Sequence, residues 1–433
     1  MIVAINPKRE EWEQLAERPA LEQQNLQSTV DEVFKSIQSD GDKAVLEFTK
    51  RFDNATLINT VAGEEELQYA DQLVGGELKE AIELAAKNIE AFHTAQKPQR
   101  VEVETAPGVT CWQEAKAIQK VGIYIPGGTA PLFSTVLMLA LPAKIAGCKE
   151  IVLCTPPGPD GSINPAILFA AKYAGVKQIF KVGGIQAIGA MTFGTESIPK
   201  VDKIFGPGNQ YVTAAKQRAA QLGVAIDMPA GPSELLVMAD ETAVPEFVVS
   251  DLLSQAEHGV DSQVICVVKS EEQVEPIQKE LEIQLALLPR KEIAEKAIEN
   301  SKIICLPEDQ DCVDFINEYA PEHYILCVQN EDFYLDQVIN AGSVFIGNYT
   351  PESAGDYASG TNHTLPTNGY AKSYSGVNLD AFMKKITFQK ITEKGILGIG
   401  PAIEQMATAE QLDAHKNAVT KRLAYLNSKN LKS

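Results

Sequence analysis

Apolar positions along the chain follow two periods. Val30, Val33, Phe34 and Ile37 recur at helical spacing, and Gly41 closes that helix. Leu78, Ile82, Ala85, Ile89 and Phe92 mark one face of a second helix over about 77–95. Residues 1–25 are polar and acidic and predict a helical arm. From 121 onward short β-rich runs alternate with helical ones. VGIYI precedes a helix over 133–147, EIVLC one over 164–174, QIFKV one over 185–193, and VDKIF one over 209–222. A second block repeats the pattern: ELLVMA (234–239), a helix over about 245–258, QVICVV (263–268), and helices over about 271–299. KIICL, a helix near 308–319, HYILCV (323–328) and SVFIGN (343–348) follow. Such alternation predicts βαβ units, parallel sheets and an α/β fold. Residues 349–376 form a long polar stretch rich in Gly, Ser, Thr, Asn and Tyr, and the tail after about 380 reads as helical.

Composition narrows the partners. The chain has 433 residues, with 38 Lys+Arg against 58 Asp+Glu, a formal net charge of −20. A chain this acidic repels a phosphate backbone and an anionic membrane surface, so neither nucleic acid nor membrane is an expected partner. The seven cysteines are scattered and form no C-x-x-C pair, which argues against a zinc knot and fits reduced thiols in a cytoplasmic enzyme. The N-terminal apolar run is too short for a secretory signal, and 133–147 is too short to span a bilayer.

Histidine is rare, and four of five fall after residue 250: His258, His323, His363 and His415. The exception, His93, sits on the amphipathic helix and reads as structural. In SQAEHG (254–259), Gln255 and His258 lie i,i+3 on one face. They suit a metal pair, or a helix-terminal histidine followed by a C′ glycine. APEHY (320–324) sets Glu322 beside His323, a pairing that suits general acid–base work and equally suits an exposed loop. TPESAGDYASGTNHTLPT (350–367) supplies Asp356 and His363 in a loop with more glycines and hydroxyls than a structural connection needs. Glu410 and His415 are five apart on a predicted helix, a spacing that by itself favours a plain surface helix.

Gly/Pro-rich turns follow several strands, at 126–128, 156–159, 183–184 and 206–209. Ligands of open α/β sheets bind beyond the carboxyl ends of strands, where such turns lie. No G-x-G-x-x-G, P-loop or H-E-x-x-H occurs.

Several long strings occur in order: VGIYIPGGTAPLFSTVLMLALPAKIAGC, KVGGIQAIGAMTFGTESIPKVDKIFGPGNQYVTAAK, DMPAGPSELLVMAD, SDLLSQAEHG, APEHY, PESAGDYASGTNH and AHKNAVT. Together they resemble the histidinol dehydrogenase family from about residue 20 to 425, with no departure at the motif positions. The resemblance implies a homodimer that oxidises L-histidinol to L-histidine with two NAD⁺ through an aldehyde. It implies one zinc per subunit held by Gln255, His258, Asp356 and His415, and an acid–base pair of Glu322 and His323. Ser233, His363 and Glu410 would meet the substrate, together with the metal ligands and His323. Tyr124, Gln186 and Asn209 would meet the dinucleotide. It further implies two incomplete Rossmann-like parallel-sheet domains with smaller helical terminal segments: an arm over 1–25, a first domain of 26–120 with 235–378, a second over 121–234, and a C-terminal segment over 379–433. That last segment would carry Glu410 and His415 into the partner's site.

The chemistry agrees with this resemblance. Histidinol offers an imidazole and an amine, both good nitrogen ligands, so the metal reads mainly as a template that orients the substrate. No cysteine lies in the histidine-bearing strings, so a thiol nucleophile is not expected. Three rival readings stand beside this one: a zinc-dependent hydrolase, a non-catalytic α/β binding protein, and a related dehydrogenase for another amino or hydroxy compound.

Overall fold

The computed structural model describes residues 1–19, 26–127, 131–229 and 231–430. The end of the expected N-terminal arm (20–25) and Gly128 of the first Gly-Pro turn lie outside the described residues. The chain divides into two compact units, one of Met1–Gln96 with Ile118–Phe382, the other of Lys97–Ala117 with Met383–Ser433.

The first unit carries two parallel sheets. The five-stranded sheet has the order Gln178–Lys181, Glu150–Thr155, Lys120–Tyr124, Lys203–Phe205, Ala225–Ile226. The chain reverses direction across the sheet between Lys120–Tyr124 and Lys203–Phe205, which makes their carboxyl ends the topological switch point of a doubly wound fold. The six-stranded sheet has the order Ile2–Ile5, Lys302–Cys305, Gln263–Val268, Glu234–Ala239, His323–Cys327, Ser343–Ile346. Both faces of each sheet are covered, so ELLVMA and QVICVV are buried along their whole length, as continuous apolar strands of parallel sheets require.

Two expectations change. The first residues are not a continuous helical arm: Ile2–Ile5 is an edge strand in parallel register with Lys302–Cys305, and among the described residues of the arm the helix is Arg9–Leu15. IVAI is short and β-branched, and its partner KIIC is far away in sequence, so the acidic run behind it dominated the pattern. The tail is not helical throughout either. Met383–Ile391 is a strand, antiparallel to Val109–Ala117, which in turn pairs with Val101–Ala106. The helices Glu393–Ala409 and Asp413–Asn430 complete this second unit.

The helices before residue 96 also pack differently from the expected division. Leu26–Asp53, broken at Gly41 by a φ of +53°, lies against Gly184–Phe193 and Gln210–Gln221 of the five-stranded sheet. Gly76–Ala95 lies against Phe133–Ala146 of the same sheet. On Gly76–Ala95 the buried face is Ile82, Ala85, Ala86, Ile89 and His93, while Phe92 is exposed. His93 is structural as read, its Nδ1 2.9 Å from the Ile89 carbonyl oxygen.

The switch point is held by a buried ion pair. Lys216 Nζ lies 2.5 Å from Asp227 Oδ1, with side-chain exposures of 3% and 1%. Lys216 also donates to the Gly206 carbonyl at 2.9 Å, and Gly206 N–H donates to Asp227 at 2.9 Å. Gly206 has φ +132°, and a Cβ there would fall 2.1 Å from the Tyr124 carbonyl oxygen, so only glycine lets this turn close on the first strand. Asp227→Ala should lower unfolding stability by about 3–5 kcal/mol, because it strands a buried ammonium. Denaturant melts would show it, and a change within ~0.5 kcal/mol would contradict the assigned role.

Candidate active site

The Glu–His pair sits at the amino end of the six-stranded sheet. Ala320, in a left-handed conformation (φ +53°), ends the helix Asp309–Tyr319, and Pro321 and Glu322 lead directly into the strand His323–Cys327. His323 pairs in register with Leu235 on one side and Ser343 on the other. Glu234, first residue of the neighbouring strand, therefore lies beside both members of the pair. Its N–H donates to Glu322 Oε2 at 2.9 Å, and its carbonyl oxygen is 3.2 Å from His323 Nδ1. That carbonyl can only accept, so Nδ1 carries the proton and the neutral ring keeps its lone pair on Nε2.

His323 Nε2 is buried without a hydrogen-bond partner, and it lies 3.7 Å from Asp356 Oδ1. Nδ1 is 3.7 Å from Glu322 Oε2 and 3.8 Å from Glu352 Oε1. Burial opposes charge on the imidazole, but Glu352, Glu322 and Asp356 outweigh it and push the pKa up to about 10. Burial pushes the Glu322 carboxyl up to about 8, against the pull of His323 and the Glu234 N–H. Glu352 is likewise pushed up to about 8 by burial. Burial also works against the Asp356 charge, and His323, His363 and His258 overcome it, holding that carboxyl below its ordinary value.

Residues missed by sequence reasoning complete the cluster. Glu234 is buried and held by Arg18, whose Nε and Nη2 lie 2.6 and 2.9 Å from its two carboxylate oxygens, and by the Asn368 N–H at 2.6 Å. A glutamate opening a strand that is otherwise wholly apolar was the available signal. Glu352 stands four residues before Asp356 in the same polar loop, where no spacing singles it out. The Gln255 amide, oriented by its hydrogen bonds, donates to Glu352 and accepts from the Glu234 N–H at 3.1 Å.

The expected ligands fall into two groups. Gln255 lies in the last turn of the helix Pro245–Ala256, and His258 follows just beyond it, its N–H donating to the Gln255 carbonyl at 3.2 Å. His258 is exposed at the rim and feels the charges of Asp356 and His323. His415 and Glu410 lie in the second unit, exposed, on and just before the helix Asp413–Asn430. Among the described residues, the ligand atoms that converge within 4.8 Å of one another belong to His323, Glu352 and Asp356. An orphaned imidazole nitrogen facing carboxylates, with an amide and a second imidazole nearby, is a donor set that fits a divalent cation.

His363 offers no free nitrogen. Nδ1 is 3.0 Å from the Asp356 carbonyl oxygen, and Nε2 is 3.0 Å from Thr135 Oγ1 in the first turn of Phe133–Ala146. Asn362 donates to the Met138 carbonyl at 2.6 Å, and Asn88 to the Ala358 carbonyl at 2.7 Å. The polar loop is thus fastened to helices of the five-stranded sheet.

Two cavities open here. Ser233 and His258 line one of 610 Å³ with Arg18 and Asn368. Tyr124, Gln186 and Asn209 line one of 960 Å³, and Asn209 borders both. Asn164, Gly184 and Asn209 bring the first turns of three helices to the larger cavity, a setting that suits phosphates. Gln186 Oε1 is buried there without a partner, so the residues fit a dinucleotide. Burial pushes Asp53, which lines the same cavity, up to about 6.

Comparison with known proteins places this architecture. The family model described as histidinol dehydrogenase matches residues 16–423. The chain belongs to the histidinol dehydrogenase family. It is 61% identical over 417 residues to histidinol dehydrogenase of Bacteroides thetaiotaomicron, covering 96% of this chain and 97% of that one. It is 50% identical to the Escherichia coli histidinol dehydrogenase, covering 96% and 95%. The crystal structure of histidinol dehydrogenase from Elizabethkingia anophelis superposes with a TM-score of 0.97 at 59% identity, covering 99% of both chains. Members of the histidinol dehydrogenase family are oxidoreductases, and this chain is one by descent. No helix of the described residues is long and apolar enough to cross a membrane.

Glu322 and His323 both bind a proton more tightly in the folded site than in the unfolded chain. The stability they contribute is complete at low pH and is lost as pH rises, Glu322's between 4.5 and about 8 and His323's between 6.5 and about 10. With a chelator present, the melting temperature should therefore fall steadily from about pH 6.5 to 9. A melting temperature that rises across that window would contradict the burial and charge balance described.

Proposed function

We propose that the protein oxidises L-histidinol to L-histidine in two NAD-dependent steps through L-histidinaldehyde, closing histidine biosynthesis. The observation that carries this reading is the buried Glu322–His323 pair whose free Nε2 faces Asp356, in a chain of this family. A family of oxidoreductases, together with a cavity suited to a dinucleotide, supports a dehydrogenase over a hydrolase or a binding protein.

In this reading His323 is the base. Glu234 holds Nδ1–H, so Nε2 takes the alcohol proton in the first oxidation and the proton of the hydrated aldehyde in the second. Pairing any of the three nearby carboxylates with positive charge lowers the His323 pKa toward the range where it accepts protons. Glu322 takes a proton from the water that adds to the aldehyde between the two oxidations. Gln255, His258 and Asp356, with His415 of the partner subunit in a homodimer, would hold a zinc ion, and Ser233, with Glu410 of the partner subunit, would border the substrate. When bound, the zinc supplies two positions for the substrate's nitrogens, and each NAD, held by Tyr124, Gln186 and Asn209, supplies a hydride acceptor. His363 acts in this scheme by fixing the Asp356 loop. The thiols take no part: Cys327, in the His323 strand, is buried and its pKa is pushed up to about 12 by that burial.

Limiting L-histidinol with excess NAD⁺ and zinc should give two NADH per substrate and histidine as product. One NADH with released aldehyde would reduce the reaction to a simple alcohol oxidation, and none would sink the proposal. Glu322→Gln should slow oxidation of supplied aldehyde ~10²–10⁴-fold and alcohol oxidation much less. Equal loss of both steps would argue against this division of roles.

A further inference from the structure

In a doubly wound nucleotide site, an acidic side chain at the end of the second strand receives the ribose hydroxyls of the adenosine half. Here the second strand, Glu150–Thr155, runs into Pro156 and Pro157, which offer no carboxylate. An acid reaches that place from another element. Asp53 is the last residue of the helix Leu26–Asp53. Its position beside the strand end can be read at Gly183, where a Cβ would fall 2.5 Å from Pro156 Cβ and 3.0 Å from Asp53 Oδ1. Asp53 lines the 960 Å³ cavity together with Pro156, Gly184 and Tyr124. Its Oδ2 accepts from Gln186 Nε2 at 2.9 Å, and among the described residues no donor takes Oδ1.

We propose that Asp53 receives the adenosine ribose hydroxyls of the dinucleotide and, through its charge, excludes a 2′-phosphate, so that the site takes NAD⁺ and rejects NADP⁺. This inference rests on the reading that the cavity binds a dinucleotide. A neighbouring cation is the obvious competitor, since an arginine beside the ribose accommodates a 2′-phosphate. Arg51 lines the same cavity, but its Nη1 is 3.0 Å from Glu32 Oε1 and its guanidinium carbon lies 5.1 Å from the Phe52 ring centroid. Arg51 is exposed, so solvent screens its pull on a phosphate, whereas Asp53 is half-buried at the strand end.

The test is direct binding of NAD⁺ and NADP⁺ by calorimetry, without substrate, to the full-length protein and its Asp53→Asn and Asp53→Glu variants. The wild type should prefer NAD⁺ by about 100-fold or more, the cost of setting a phosphate dianion on a carboxylate. Asp53→Asn should weaken NAD⁺ about tenfold and narrow the preference at least tenfold, since a hydrogen bond to a charged group is lost and the repulsion with it. Asp53→Glu keeps the charge and should keep the rejection of NADP⁺ even where NAD⁺ binds less well, which covers the case of an unfolded Asn variant. An unchanged preference in Asp53→Asn, or a wild type that binds both dinucleotides equally, overturns the proposal alone. A Gln186→Leu variant that narrows the preference as much as Asp53→Asn also overturns it, because Asp53 would then act only by holding Gln186. A wild type that binds neither dinucleotide overturns the underlying reading as well.

Discussion

Glu234 joins two neighbouring strands of the six-stranded sheet, Glu234–Ala239 and His323–Cys327, at the point where the acid–base pair stands. Its N–H holds the Glu322 carboxylate and its carbonyl holds His323 Nδ1, so the backbone of one residue sets both groups and selects the imidazole tautomer. The parallel register that sets His323 opposite Leu235 makes this possible. The Glu234 side chain, tied to Arg18 and to the Asn368 N–H, anchors that residue. Arg18 in turn donates to the Tyr319 carbonyl at 2.7 Å and stacks on the Tyr319 ring. An arginine is suited to this because its planar fork can serve a carboxylate, a carbonyl and an aromatic face together.

Topology then explains why the site needs two sheets. The larger cavity lies at the carboxyl ends of the five-stranded sheet, where a doubly wound fold binds ligands. The Glu–His pair lies at the opposite, amino end of the six-stranded sheet. The polar loop after residue 349 spans the difference, carrying Asp356 beside His323 and fastening His363 and Asn362 to the helix that follows Tyr124. Asn209, shared by both cavities, sits at the head of its helix with its side chain capping the Tyr211 and Val212 N–H groups. A side chain committed to a cap is held still, which suits a residue placed between two cavities.

The site gathers like charges rather than separating them. Glu322, Glu352, Asp356 and Glu234 surround one imidazole, and Asp251, pushed up to about 7 by burial, adds another carboxyl nearby. Such a group is tolerable only with protons or cations among the carboxylates. The acidity of the whole chain is therefore of a different kind from the acidity of the site. The surface charge is solvated and interspersed with ion pairs, while the buried charge shapes what the cluster can bind.

Much of the fold was readable from hydrophobic period alone, because parallel strands covered on both faces leave continuous apolar runs and the helices between them leave a 3.6-residue stripe. The elements that the pattern predicts between Lys120 and Ile346 are present, and the two-residue strand Ala225–Ile226 and the short helix Glu331–Leu335 add to them. Ile2–Ile5 and Met383–Ile391 were not readable, since each becomes a strand only through pairing with a segment about 300 residues away for the first and more than 250 for the second. Part of the cluster around His323 was also legible, since Gln255, Glu322 and Asp356, which meet there, lie in ordered strings of the sequence. What only the tertiary structure decided is how those groups are wired. Glu234, Arg18 and Glu352 matter because of where a strand register and a loop set them, and no local spacing encodes that. The same holds for Asp53, whose carboxylate reaches a strand end about 100 residues away only because its helix packs against the five-stranded sheet.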